Sequence, residues 1–230
     1  MRIIKMLFSF LFFLVLIFVI YFGYKGYELY KNAVSAVSID DKISMIRSRD
    51  NFTNLDDVSK TFINAVIACE DHRFYIHKGI DLISTTKAFF INLRSKDLVT
   101  GGSSITQQLA KNMYFSQKKE FSRKFAEVFV VSQLEDKLNK DEILELYINT
   151  IYYGNGYYGI GNASKGYFGK LPSELTDWEA TILAGLPNAP SAYSLTEHSD
   201  LALKRQQQVL RAMLKYDYIS RDEMEKIEGF

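Results

Sequence analysis

Cysteine, proline and net charge are all scarce in this 230-residue chain. The single cysteine, Cys69, excludes an intrachain disulfide, so the fold must be held by packing. The three histidines, His72, His77 and His198, form no set with zinc-ligand spacing. Only three prolines occur, Pro172, Pro187 and Pro190, all in the last third, which leaves the middle of the chain free to be helical. The formal net charge is +1, so no polybasic field points to nucleic acid, and any anionic ligand must be held by a local cluster of cations. No β-hairpin pattern and no internal repeat is visible, which leaves a mainly α class.

What the chain has in abundance is apolar side chains, 47% of residues, and they are densest near the N-terminus. Met6 to Phe22 is interrupted only by Ser9. As a helix this run comes close to the ~30 Å hydrocarbon core of a bilayer, with Tyr21, Tyr24 and Tyr27 at the interface. Arg2 and Lys5 precede it and Lys25 and Lys31 follow, a weak bias that puts the N-terminus in the cytoplasm and the rest outside. A cleavable signal peptide is the competing reading, but the run is long for one, and the small-x-small site Val34-Ser35-Ala36 comes late. The expected division is a cytoplasmic tip and anchor over 1–24, a polar, partly helical stalk over 25–50, and a domain over 51–230, large enough for its own core.

The densest ionisable stretch is Cys69-Glu70-Asp71-His72-Arg73-Phe74-Tyr75-Ile76-His77-Lys78-Gly79. It follows an apolar helical run from Phe62 to Ala68. If the helix continues, Glu70, Phe74 and His77 share one face. A carboxylate placed there can serve in proton transfer; a solvated helix end is the bland alternative. A second stretch runs from Val99 through Gly101-Gly102-Ser103-Ser104 to Asn112. Its glycines permit a tight turn, Ser103 or Ser104 can cap the next helix, and a capped N-terminus is a natural anion site. Gln107 and Lys111 share a face of that helix. The ending lacks the Gly-Lys-Ser/Thr of a Walker loop. In a third stretch, basic from Gln117, Arg123 and Glu127 are spaced i, i+4. That spacing reads blandly as a surface ion pair worth a few tenths of a kcal/mol, or functionally as a diphosphate grip of Arg123 and Lys124 beside a second carboxylate. Ile151 to Gly161 alternates glycine and tyrosine, an ordered loop whose rings suit sugars. Leu183 to Pro190 is a proline-framed turn, and Ser199 to Lys215 is a helix with a basic, Gln-rich face.

These blocks, in this order over residues 69–191, resemble the peptidoglycan glycosyltransferases of glycosyltransferase family 51. Glu70-Asp71-x-x-Phe74-x-x-His77-x-Gly79 is similar to the first motif of that family. Gly101-Gly102-Ser103-Ser104-Ile105-Thr106-Gln107-Gln108-x-x-Lys111-Asn112 is similar to the second, and Arg123-Lys124-x-x-Glu127 to the third. Ile143-Leu144-Glu145-x-Tyr147-Ile148-Asn149 with the following Gly-Tyr loop resembles the fourth, and Leu183-Ala184-Gly185-Leu186-Pro187-x-Ala189-Pro190 the fifth. Ser104 stands where threonine is more usual, and Ser164-Lys165 where a small pair is usual. No complete penicillin-site motif set occurs, and the expected form is the monofunctional one.

The resemblance implies a lysozyme-like helical catalytic lobe with a smaller membrane-proximal jaw, after one N-terminal transmembrane helix. It implies polymerisation of lipid II into β-1,4 glycan strands on the outer face of a bacterial cytoplasmic membrane, with release of undecaprenyl diphosphate. Glu70 is then the general base of an inverting transfer and Glu127 the second carboxylate. Asp71, Phe74, His77, Gly102, Ser103, Thr106, Gln107, Gln108, Lys111, Asn112, Arg123 and Lys124 form the substrate site. The implied partners are lipid II, the growing strand, membrane lipid and other cell-wall synthesis proteins. No cofactor is certain: a diphosphate invites Mg²⁺ or Mn²⁺, but the sequence shows no all-protein cage for either. A lysozyme-like hydrolase and an inactive membrane-anchored scaffold are the competing readings.

Overall fold

The structure, a computed structural model, describes residues 2–95, 101–115 and 120–229. Val99 and Thr100 of the glycine stretch, and Gln117, Lys118 and Lys119 of the basic run, lie outside the described residues. The helices in order are α1 (Arg2–Ala36), α2 (Ile39–Arg47), α3 (Lys60–Glu70), α4 (Leu82–Ser95), α5 (Ile105–Tyr114), α6 (Phe121–Lys137), α7 (Lys140–Thr150), α8 (Ile160–Phe168), α9 (Asp177–Gly185), α10 (Ser199–Lys215) and α11 (Arg221–Glu228). The mainly α class is as expected. The one β feature among the described residues is an isolated bridge between Tyr152 and Tyr158.

Local chemistry sets several of these boundaries. Ser104 with Gln107, Asn139 with Glu142, Thr176 with Glu179 and Ser220 with Glu223 each form a reciprocal capping box at a helix start. Gly169, in the left-handed region at φ 68°, stops α8. The domain is built around α3, which packs on α9 and α10, while α5 packs on α6 and α7. Phe62, Phe74, Leu109, Leu134, Leu144 and Tyr147 are fully buried in one continuous core.

The stretch expected to be a stalk is instead part of the folded body. α1 runs unbroken to Ala36, and α2 buries Ile39, Ile43 and Ile46 in the core. These three isoleucines are spaced i, i+4, i+7, an apolar stripe inside a mostly polar segment. α1 is also the only helix among the described residues long and apolar enough to cross a membrane. It lies along α6 with almost no gap. A Cβ on Gly26 would sit 2.4 Å from Phe125 Cβ and 2.9 Å from the Ser122 carbonyl, so only glycine permits this approach. Phe121 of α6 meets Phe18 and Phe22 of the apolar run, with ring centroids 5.3 and 5.5 Å apart. Further along, Phe129 packs on Tyr27 and Tyr30, and Gln133 donates to the Tyr30 hydroxyl.

Candidate active site

α3 ends at Glu70, and Asp71 leaves the helix with φ −159° and ψ 72°. Glu70, Phe74 and His77 therefore do not share a helical face. The turn is enforced by Asp71, whose side chain is buried. Its carboxylate contacts His77 Nε2 at 2.9 and 3.0 Å and accepts the Ile105 N–H at 3.0 Å. That last bond ties the end of α3 to the start of α5. Phe74 is fully exposed to neither cleft nor solvent: it lies in the core with the Lys140 ammonium 4.6 Å from its ring centre. Phe74 and His77 are thus a scaffold behind Glu70, while Asp71 also lines a cavity beside it.

The Glu70 side chain is 9% exposed and held at both oxygens. Gln108 Nε2 donates to Oε2 at 2.8 Å, and Arg205 Nη2 lies 3.3 Å from Oε1. Gln108 is oriented in turn by the Tyr147 hydroxyl, 3.3 Å from its Oε1. Burial, reinforced by the Glu70 charge, pushes the Tyr147 phenol well above its ordinary pKa, so it stays a donor.

Glu70 stands between two cavities. One, of about 430 Å³, includes Ser84, Lys87, Arg211, Lys215 and Tyr216 in its wall. The other, of about 620 Å³, includes Ser103, Gln107, Lys111, Arg123, Lys124 and Arg205. A groove of about 850 Å³ continues from the second past Asn112, Tyr152 and Tyr158, sharing Gln108, Lys111, Pro187 and Asn188 with it. In the Gly-Tyr loop, Gly154, Gly156 and Gly159 take positive φ, which lets the loop fold back on itself. Tyr152 and Tyr158 face the groove with ring centroids 4.7 Å apart, while Tyr153 is wholly buried.

The glycine stretch differs from expectation. Neither Gly101 nor Gly102 has positive φ. Gly102 is there for closeness: a Cβ would lie 3.0 Å from Ala88 Cβ, and Thr85 Oγ1 donates to its carbonyl at 3.0 Å. The N-terminus of α5 is not an open anion site either. Asp71 takes the Ile105 N–H, and the Ser104 hydroxyl takes the Gln107 N–H at 3.1 Å. Because Ser104 is the cap, Ser103 is released to the cleft, where Lys124 Nζ donates to its hydroxyl at 3.0 Å. Thr106 is buried and donates to Glu135 at 2.6 Å, so it does not reach the cleft.

The pair of α6 is not a surface ion pair. Glu127 is completely buried, with Lys124 Nζ 2.7 Å from Oε2 and Arg123 Nε 3.3 Å from Oε1. Glu127 does not line the cleft; it aims the two cations that do. Beside them, burial first and then the Arg123 charge lower the Lys111 pKa. Cations that destabilise one another in a half-enclosed cleft form a preorganised seat for a multiply charged anion.

Among the described residues, Glu70 and Cys69 are the only Asp, Glu, His or Cys side chains in the wall of this cation-lined cavity. Asp71, His77 and Asp81 are the one group among the described residues with three candidate ligand atoms within 4.8 Å of one another. Its members are engaged with one another and with Arg73: His77 Nε2 is on Asp71 and Arg73 Nε donates to Asp81 at 2.9 Å, while His77 Nδ1 is buried without a hydrogen-bond partner. The Arg73 guanidinium already balances Asp81 there, and Glu127 is engaged by Arg123 and Lys124.

Sequence reading missed Arg205 and Gln208 of α10 and Asn188 and Tyr193 beyond α9, all in the cleft wall. The basic, Gln-rich face of α10 was the available signal. Its direction depended on α10 packing against α3 and α9.

The chain is similar to known proteins. Residues 40–214 match the family described as Transglycosylase, a span that takes in α2. A provisionally named transglycosylase of Cupriavidus necator is 43% identical over 80% of this chain and 79% of its own length. Penicillin-binding protein 1A of Neisseria flavescens is 44% identical over 75% of this chain, and penicillin-binding protein 2D of Bacillus subtilis 43% over 75%. The chain spans only 22% and 25% of those two proteins. A crystal structure of penicillin-binding protein 1A from Haemophilus influenzae aligns with a TM-score of 0.46 and 27% identity, over 76% of this chain and 17% of its own. The match over most of the chain, together with the relative covered over 79% of its length, shows that this chain belongs to the transglycosylase family.

Proposed function

We propose that this chain is a peptidoglycan glycosyltransferase that polymerises lipid II into β-1,4 glycan strands. The observation that carries the reading is a buried carboxylate, Glu70, set between two cavities, one of which is lined by Lys111, Arg123 and Lys124. The cation-lined cavity takes the donor strand's lipid diphosphate, and the Tyr152–Tyr158 groove takes its sugars. The cavity with Lys87, Arg211 and Lys215 takes lipid II as acceptor.

In the reaction, the acceptor's GlcNAc 4-hydroxyl oxygen forms a bond to the donor's anomeric carbon, and Glu70 takes its proton. The bond from that carbon to the diphosphate oxygen breaks on the opposite face, so configuration inverts. The electron pair leaves with undecaprenyl diphosphate. Charge develops on the leaving group, and the preset cations stabilise it without having to reorganise. The donor arrangement of an inverting glycosidase is similar, with a sugar hydroxyl in the place of water.

Two features support a membrane setting. α1 can span a bilayer, and Phe121, two residues before Arg123, packs on Phe18 and Phe22 of the apolar run. The cation seat is thereby kept at headgroup depth, where a lipid diphosphate lies. The single pass, on this reading, anchors the domain to the outer face of a bacterial cytoplasmic membrane.

The test is incubation of the detergent-solubilised full chain with labelled lipid II. Formation of lysozyme-sensitive strands and free undecaprenyl diphosphate is expected. Intact lipid II, with new reducing ends released from purified glycan, would replace this reading with a hydrolase. Intact lipid II and intact glycan would leave the scaffold reading.

A further inference from the structure

One oxygen of the Glu70 carboxylate faces a residue that the polymerase reading leaves unused. Arg205 of α10 lies 3.3 Å from Oε1, with both side chains about nine-tenths buried. Arg205 is fixed from two other directions. Its Nε donates to the Gly185 carbonyl at 3.3 Å, and its Nη1 donates to Gln208 Oε1 at 3.0 Å.

Gly185 explains how the arginine comes to this place. It ends α9 with φ −80° and ψ −26°, a right-handed helical conformation open to any residue. Backbone freedom is therefore not why a glycine stands there. Space is. A Cβ at Gly185 would lie 2.9 Å from Arg205 Cγ and 3.4 Å from Val209 Cγ2. Cγ is near the root of the arginine, so it cannot move aside without carrying the guanidinium away from Glu70. Cys69 Sγ, next to Glu70, lies 3.8 Å from the Ala184 carbonyl, so the end of α9 also abuts the helix that carries the carboxylate.

We propose that Arg205 is a positioning residue for Glu70, and that Gly185, in the Leu183–Pro190 block, seats Arg205. Arg205 holds one carboxylate oxygen and Gln108 the other. Each oxygen keeps a lone pair, and with rotation of the carboxylate blocked these point in fixed directions toward the cleft. Lysine cannot replace the arginine, because an ammonium lacks the planar fork that serves Gly185, Gln208 and Glu70 together.

The assignment rests on the polymerase reading, and the experiment separates the two. kcat and KM for lipid II polymerisation are measured for the parent, Arg205→Ala, Arg205→Lys, Gly185→Ala and the double variant Gly185→Ala/Arg205→Ala. A buried charge-assisted hydrogen bond lost at the reacting group corresponds to a kcat loss of about 10- to 100-fold. That loss is expected for Arg205→Ala, with KM within about twofold, and millimolar guanidinium is expected to restore part of it. Arg205→Lys is expected to stay well below the parent. Gly185→Ala is expected to lower kcat in the parent background and to change nothing further once Arg205 is alanine. Near-parental kcat in Arg205→Ala, a loss confined to KM, or an undiminished Gly185→Ala effect in the double variant would each overturn the proposal.

Inactivity of the parent on lipid II would sink the polymerase reading instead. In that case urea midpoints of Arg205→Ala, Glu70→Gln and their combination still test the pairing. Non-additive shifts support it and additive shifts overturn it.

Discussion

Glu70 and Glu127 are both carboxylates beside cations, yet they face different things. Glu70 lines two cavities and keeps lone pairs toward them, whereas Glu127 is sealed behind Arg123 and Lys124. The sequence hides this difference, because burial is a tertiary property. Arg123 is one of the two cations that Glu127 aims. Arg123→Ala is expected to lower kcat/KM for lipid II by roughly 100-fold, the scale of one charge-assisted contact to a developing oxyanion. An unchanged kcat/KM would remove Arg123 from the site. Cys69 adjoins Glu70 but is a poor nucleophile. Burial, then the Glu70 charge, pushes its thiol far above the ordinary range, and its sulfur sits 3.7 Å from the Val66 carbonyl. Cys69→Ala is expected to polymerise within about threefold of the parent, and the native thiol to resist iodoacetamide at pH 8. Loss of activity on Cys69→Ala, with the fold retained by circular dichroism, would argue for a covalent step.

At the scale of elements, the site is set by how α3, α5 and α4 are joined. Asp71 ties α3 to α5, and Asp81 starts α4 by accepting from Ser84 N–H at 2.8 Å and its hydroxyl at 2.7 Å. Burial opposes ionisation of Asp81, but hydrogen bonds from Arg73 and Ser84 outweigh it and hold the carboxyl well below the usual carboxylate range. The folded pKa is thus depressed relative to the unfolded value of about 3.9, so the stabilisation is complete above that value and is lost as pH falls below it. Urea midpoints are expected to fall below about pH 4 in the parent, and less steeply in Asp81→Asn, which is weaker already at pH 6. Equal slopes in the two chains would contradict this role. The helices themselves were legible in the sequence. α10 occupies the predicted Ser199–Lys215, because an i, i+3, i+4 apolar pattern decides it locally. What was not legible was the exit of the chain from α3 at Asp71, because a distant N–H, that of Ile105, enforces it. For the same reason Phe74 reads as a cleft aromatic but lies in the core.

At the scale of the molecule, anchor and domain are one packed body. The sequence suggests a spacer over 25–50 because its polar residues outnumber the few isoleucines of α2 and the one glycine of α1 that matter. Gly26 is the contact on which the union of α1 and α6 depends. Gly26→Leu is expected to lower the thermal midpoint by roughly 3–10 °C, an overpacking cost of about 1–3 kcal/mol in a domain of this size. Gly23→Leu is the control, since a Cβ there lies 4.0 Å from Phe125 Cδ1, ordinary contact. Equal shifts in the two variants would contradict the close approach at Gly26. On the proposed function, Glu70 is the base of the glycosyl transfer, and it lines both the cation-lined cavity and its neighbour. The most direct test compares the parent with Glu70→Gln in polymerisation of labelled lipid II, with circular dichroism to show that both are folded. Glutamine keeps the shape and loses the base, and a loss of at least about 1,000-fold in strand synthesis is predicted. Near-parental synthesis by folded Glu70→Gln would contradict the account.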